Sequence, residues 1–265
     1  MRAINSLRLM LQVMLVNCVL PLAYAGEPPT EPMLRFDLGE HTAVINRIAT
    51  DAAGRYLVTA SDDKTARVWR VADGQLLSTL RIPIGTGDEG KLYAVALSPD
   101  GQTVALGGWS KLGFEEAGNY NIFLFDRASG RLLRRLTYLP NAIFHLAFSP
   151  DGRSLAASFA AGAGLRLFSV ADGRLLAGDV DYGDDSYSVQ FSPRPDKNQE
   201  QRLVTTSDDG FLRLYTWDGS QLTLNVKRSA PGGAHPRAAR FSPYGTAIAV
   251  GFTDSHAVNV LHVAH

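Results

Sequence analysis

Gly85-Thr86-Gly87-Asp88-Glu89-Gly90-Lys91 meets the glycine spacing of a dinucleotide fingerprint and of a phosphate loop at once. Either motif works by aiming the backbone N–H groups of a helix N-terminus at a phosphate. A phosphate loop also needs Ser or Thr next, to hold Mg²⁺, and here Leu92 follows. Leu92 to Ser98 reads as a strand, so the helix that both motifs need is missing, and Asp88 and Glu89 would repel a phosphate. The run Asp179-Val180-Asp181-Tyr182-Gly183-Asp184-Asp185 has the look of a calcium loop. Gly183 stands where a third ligand belongs, however, and Gln190 occupies the twelfth place, where Glu is needed. An acidic hairpin turn is the expected reading. Gly108-Trp109-Ser110-Lys111-Leu112 begins like a nucleophile elbow without its last glycine. The six histidines (41, 145, 235, 256, 262 and 265) show no paired metal-ligand spacing. No catalytic residue, cofactor or metal site is therefore expected, and the chain reads as a non-enzyme.

Composition narrows the remaining classes. The 265 residues hold 26 Lys+Arg against 26 Asp+Glu, a balance that excludes the broad basic footprint of a nucleic-acid binder. Hydrophobic residues make up 45%, enough for a sizeable core, and the 25 Gly and 13 Pro spread through the chain point to many turns and an all-β fold. The first 25 residues read as a secretory signal peptide. Arg2 and Arg8 precede the apolar run Leu9–Leu22, and Ala23-Tyr24-Ala25 supplies a small-x-small cleavage pattern before Gly26. A lipoprotein reading through Cys18 would place Asn17 where a small residue belongs. Cleavage would leave 24 basic and 26 acidic residues and no cysteine. The mature protein is then expected to be exported, periplasmic or secreted in a bacterium, and to touch a membrane only through the uncleaved segment.

After a linker at 26–32, the chain repeats. Ser98-Pro99-Asp100-Gly101 recurs as Ser149-Pro150-Asp151-Gly152, shortens to Ser192-Pro193 and returns as Ser242-Pro243-Tyr244-Gly245, at intervals of 51, 43 and 50 residues. Downstream of these lie Asp73-Gly74, Ser129-Gly130, Asp172-Gly173 and Asp218-Gly219, the dipeptides of tight hairpins. Period-two stretches such as Tyr93–Leu97, Leu165–Phe168 and Leu212–Tyr215 fill the intervals, so each unit reads as four short strands. Short hairpin-linked strands in a repeated unit stack around an axis.

These residues resemble the WD40-repeat β-propeller family. The best unit runs from Gly39-Glu40-His41 through Ser61-Asp62-Asp63 to Val68-Trp69, with Arg70 in place of the Asp that usually follows the tryptophan. The resemblance covers about residues 33–265 and implies a structural tetrad of His41, Ser61, Asp63 and Trp69. Ser207, Asp209 and Tyr215 repeat this grammar without a matching His. The blades are expected at about 39–82, 90–138, 141–178, 185–227 and 236–265. Met33–Leu38 is left as an unpaired strand that, by the habit of the family, would close the fifth blade. Five blades are fewer than the family's usual seven. The ring either closes with five or belongs to a longer propeller, the kind that sometimes accompanies a caspase-like peptidase domain.

Function then falls to the surface. The face carrying the d–a and b–c loops gathers 13 acidic and six basic residues, while the opposite face is balanced. Trp109, Phe114, Glu115, Glu116, Asp184 and Asp185 are the candidate partner-binding residues on this acidic face. The expectation is a protein–protein scaffold with a cationic protein partner. A sensor portion of a larger protein with a separate peptidase part is the alternative.

Overall fold

The computed structural model describes residues 41–111 and 119–263, which form nineteen strands and no helix. Blade 1 contains β1 (Ile45–Thr50), β2 (Tyr56–Ser61), β3 (Thr65–Arg70) and β4 (Leu76–Arg81). Blade 2 contains β5 (Leu92–Leu97), β6 (Thr103–Gly108), β7 (Tyr120–Asp126) and β8 (Leu132–Leu139). In blade 3 lie β9 (Ile143–Phe148), β10 (Ser154–Phe159), β11 (Leu165–Ser169) and β12 (Leu175–Asp179). Blade 4 holds β13 (Ser186–Phe191), β14 (Gln201–Ser207), β15 (Phe211–Trp217) and β16 (Leu222–Ser229). Blade 5 has β17 (Pro236–Phe241), β18 (Ala247–Phe252) and β19 (Val258–His262). Every sheet is antiparallel with its strands in sequence order, and the first strands of successive blades are neighbours, so the molecule is a five-bladed β-propeller.

The repeated serines explain the a–b turns. The Ser98 hydroxyl accepts the N–H groups of Gln102 (3.1 Å) and Thr103 (2.8 Å); Ser242 accepts from the same two relative positions, and Ser149 from the second of them, Ser154. In blade 1 Asp51 takes this place. Its Oδ1 accepts from Arg55 N (2.7 Å) and Tyr56 N (2.9 Å), four and five residues on, so the marker is present there in a different side chain. The c–d turns close on glycine for a steric reason. Gly173 has φ +79°, and a Cβ there would come within 2.6 Å of Leu136 on the neighbouring blade.

Between blades the core is apolar. Val58, Ala60 and Val68 of blade 1 meet Val95, Leu97 and Phe123 of blade 2, and comparable clusters join blades 2 to 3, 3 to 4 and 4 to 5. Each such buried Val, Leu or Phe contributes about 1.5–3 kcal/mol. The two ends of this series differ from its middle. Ile48 on β1 is 62% exposed, whereas Val95, its counterpart on β5, is buried; Val258 and Val260 on β19 are 72% and 60% exposed. The expected closing strand Met33–Leu38 and the segment 1–32 lie outside the described residues.

Candidate functional site

One irregularity recurs in all five inner strands. The pairing of the first strand with the second skips a residue between Ile45 and Arg47, Leu92 and Ala94, Ile143 and His145, Ser186 and Ser188, and Pro236 and Ala238. A bulge of this kind re-aims the extra side chain. The skipped residues are Asn46, Tyr93, Phe144, Tyr187 and Arg237, and with Arg47 they line a single cavity of about 260 Å³ where the five blades converge. Four of them form a ladder. The Tyr93 and Phe144 rings are 6.1 Å apart, Phe144 stacks on Tyr187 at 5.1 Å, and the Arg237 guanidinium lies 3.5 Å above Tyr187. Asn46 donates to Asp62 (2.6 Å) and to the Leu92 carbonyl (3.0 Å). Tyr187 donates to Asp185 at 3.0 Å, and burial first, then Asp185, pushes its pKa up to about 12.

Around this mouth the rim carboxylates have their own partners. Asp88 pairs with Lys91 (2.7 Å), Asp181 with Lys227 (2.6 Å), and Asp254 accepts the N–H groups of Ala234 and His235. Of the expected partner-binding residues, Asp185 accepts Ala161 N (2.6 Å) as well as the Tyr187 hydroxyl, and so supports the mouth from the rim. Asp184 is exposed and caps Asp185 N (2.8 Å). Trp109, 38% exposed and edge-on to Tyr120 at 5.7 Å, stands on a different blade. Phe114, Glu115 and Glu116 lie outside the described residues. In the run that has the look of a calcium loop, Asp179 accepts from Tyr215 and Asp181 holds Lys227, so those carboxylates serve separate partners. Among the described residues no cluster of His, Cys, Asp and Glu could hold a metal ion, and no helix is long and apolar enough to cross a membrane.

The structural network of blade 1 differs from expectation in one member. His41 Nδ1 donates to Asp63 at 2.7 Å, and Thr59, not Ser61, completes the chain. The Thr59 hydroxyl lies 2.7 Å from His41 Nε2 and accepts from Trp69 Nε1 at 3.1 Å. An indole can only donate, so the threonine proton points to the imidazole. Ser61 lies two residues further on, which keeps it on the same side of the strand; it donates to the Ala43 carbonyl (3.3 Å) and accepts Asp63 N (3.1 Å). Burial pushes the Asp63 carboxyl up, but the Thr65 hydroxyl, His41 and Thr42 N–H outweigh it and hold it below the usual carboxylate range.

Blade 4 builds the same network without histidine. Thr205, Tyr182 and Tyr215 are linked at 2.7 and 2.9 Å, and Tyr215 donates to Asp179 at 2.8 Å. The turn carboxylate Asp209 pairs with Arg213, whose side chain is 1% exposed and whose guanidinium also stacks 3.9 Å from the Tyr182 ring. Burial raises the Tyr182 hydroxyl to about 12 and pushes the Asp209 carboxyl up, but Arg213, then Gly183 N–H, prevail on Asp209 and keep it low.

Residues 33–70 match the family model described as "WD domain, G-beta repeat". The chain is a β-propeller that carries a WD40 repeat in its first blade. Among curated proteins, the propeller is similar to the "Uncharacterized WD repeat-containing protein sll1491" of Synechocystis, with 33% identity over 40% of this chain and 26% of that one. It also resembles Protein HIR1 of Cryptococcus neoformans (33% identity, 28% of this chain and 8% of that one). Coronin-7 of the mouse matches at 26% identity over 76% of this chain and 19% of its own length. The chain thus spans about a quarter or less of these relatives. WD40 propellers are a generic protein-interaction scaffold fold and are usually non-catalytic.

Sequence reasoning missed the mouth. Its signal was present: each lining residue stands five places before its repeat marker, Asn46 before Asp51, Tyr93 before Ser98, Phe144 before Ser149, Tyr187 before Ser192 and Arg237 before Ser242. Asp51 hid the first of these because the repeat was indexed on serine.

Proposed function

We propose that this WD40 propeller is a non-catalytic docking scaffold whose acidic loop face, centred on the axial mouth, receives an extended segment of a basic protein partner. The observation that carries the reading is the bulge ring, which spends one residue of every inner strand on a single solvent-facing cavity. Phe144 also packs against the core between blades 2 and 3, but the re-aimed Asn46, Tyr93, Tyr187 and Arg237 stand outside the apolar clusters, and aromatic rings at an opening suit a binding hot spot. The rim supplies long-range attraction, with Asp184 and the exposed Trp109 on its loops, and the sequence that follows Trp109 adds Glu115 and Glu116. Export is part of the proposal, resting on Leu9–Leu22 and Ala23-Tyr24-Ala25; its check is the mass of the secreted chain, which should begin at Gly26.

The test is titration of the full chain with an end-blocked peptide of alternating Lys and Arg. Affinity should drop at least tenfold between about 50 and 300 mM salt, as screening shortens the Debye length. It should also weaken when Glu115, Glu116 and Asp184 are changed to Lys. Binding indifferent to both would contradict the docking reading.

A further inference from the structure

Three guanidiniums meet near the propeller axis without a carboxylate. Arg47 reaches from β1 to the carbonyl oxygens of Phe144 (3.1 Å) and Tyr187 (3.4 Å), and its Nε is buried without a partner. Arg240 on β17 donates to Ser188 Oγ (3.3 Å) and the Ala239 carbonyl (3.1 Å). Arg237 rests on the Tyr187 ring. Among the described residues none of the three forms an ion pair. Carbonyls and hydroxyls satisfy donors but leave the charge standing, and like charges in a partly desolvated site raise one another's energy. The groups themselves register this. Burial first, then Arg240 and Arg237, brings Arg47 down to about 10. His145, between them on β9, is held well below the ordinary imidazole value by burial and then by Arg47 and Arg240, and its Nδ1 accepts Val189 N at 2.9 Å.

We propose that the axial mouth receives the carboxylate of one Asp or Glu side chain, carried by a partner segment that has basic residues on both sides of it. This rests on the docking reading above and names the chemistry at its centre. A cavity of about 260 Å³ suits a single side chain, not a folded element. Guanidiniums match a carboxylate in shape as well as charge, through two parallel N–H···O bonds. Tyr93, Phe144 and Tyr187 wall the approach with faces on which the methylenes of the entering side chain can lie. The surrounding rim then sets the flanks. A uniformly acidic segment is repelled before it arrives, and a uniformly basic one leaves the axial arginines unpaired, so the two zones together select a basic–acidic–basic pattern.

The experiment uses the full chain and two end-blocked heptapeptides, each with three basic residues on either side of a central Glu or a central Gln, titrated by calorimetry at one ionic strength. The rim alone favours the Gln peptide, which carries one more net positive charge. The axial site reverses that order: the Glu peptide should bind at least tenfold tighter, and the preference should fall to near unity in Arg237→Gln and in Arg47→Met. Arg237 is exposed, so its variant keeps the test valid if Arg47→Met does not fold. Equal or weaker binding of the Glu peptide would overturn the axial assignment and leave the docking reading standing. Failure of both peptides to bind would overturn both. Inorganic phosphate that displaces the Glu peptide at equimolar concentration would reassign the axis to a phosphate group and overturn the carboxylate.

Discussion

The rim and the axis of this propeller handle charge in opposite ways. On the rim, buried carboxylates have their own partners: Asp209 pairs with Arg213, and Asp63 accepts from His41. At the axis, Arg47, Arg237 and Arg240 converge on neutral acceptors and an aromatic ring. A paired buried charge is costly to break, whereas the half-buried, unpaired Arg47 beside two exposed guanidiniums is already a burden on the fold. The rim networks are thus explained by stability alone. The axis is not, and positions that break a local rule without a structural gain are where function is found.

The largest effect should come from breaking a rim pair. Arg213→Met strands the Asp209 carboxylate and removes the stack on Tyr182, and it should cost about 3–5 kcal/mol in urea denaturation, the usual result of orphaning a buried ion. A loss under 1 kcal/mol would show that the rim charges are as dispensable as they look from sequence.

Next in size is the corrected member of the blade 1 network. Thr59→Val leaves the Trp69 N–H and His41 without their shared hydroxyl and should cost about 1–3 kcal/mol. Ser61→Ala, whose hydroxyl serves the Ala43 carbonyl and Asp63 N–H outside the network, should cost about 1 kcal/mol or less. The reverse order would restore Ser61 to the network.

Acid should separate the two zones more gently. His145 has a folded pKa depressed below 6.5, so the unfolded chain takes up a proton first, and stability should begin to fall as pH drops below about 6.5. Asp63 and Asp209 are depressed below 3.8, so their contribution is full above that value and is lost only as pH falls through their lower folded values. The urea midpoint against pH should therefore decline in two steps, and His145→Asn should remove the upper one. A single step below pH 4 in the unmodified chain would place His145 in solvent.

Much of the fold was legible because it is written in turns. Ser-Pro-Asp-Gly and Asp-Gly punctuate strands whose alternation is local, so blades could be counted without knowing what they pack against. The networks were legible only where the partner is near in sequence. Asp63 and Trp69 lie on one hairpin, but the choice between Thr59 and Ser61 depends on how far the indole reaches across the sheet. The substitute for histidine in blade 4 is Tyr182, from the preceding loop, a residue type that the repeat pattern does not suggest. The axial site was hidden for a different reason. Its ring takes the bulged residue of each blade, separated by 43 to 51 positions from Tyr93 onward, and a bulge, not a motif, brings these side chains together.

The measurement that bears most directly on the contrast is the stability of Arg47→Met, by urea denaturation in a buffer without phosphate or carboxylates. An unpaired cation beside two others should be nearly free to remove, so the variant should lie within about 1 kcal/mol of the unmodified chain, or above it, as for buried charges replaced by apolar groups. A loss of about 3 kcal/mol or more, equal to that of Arg213→Met, would mean that Arg47 is a structural pin across the blades and would contradict the assignment of the axis to a partner.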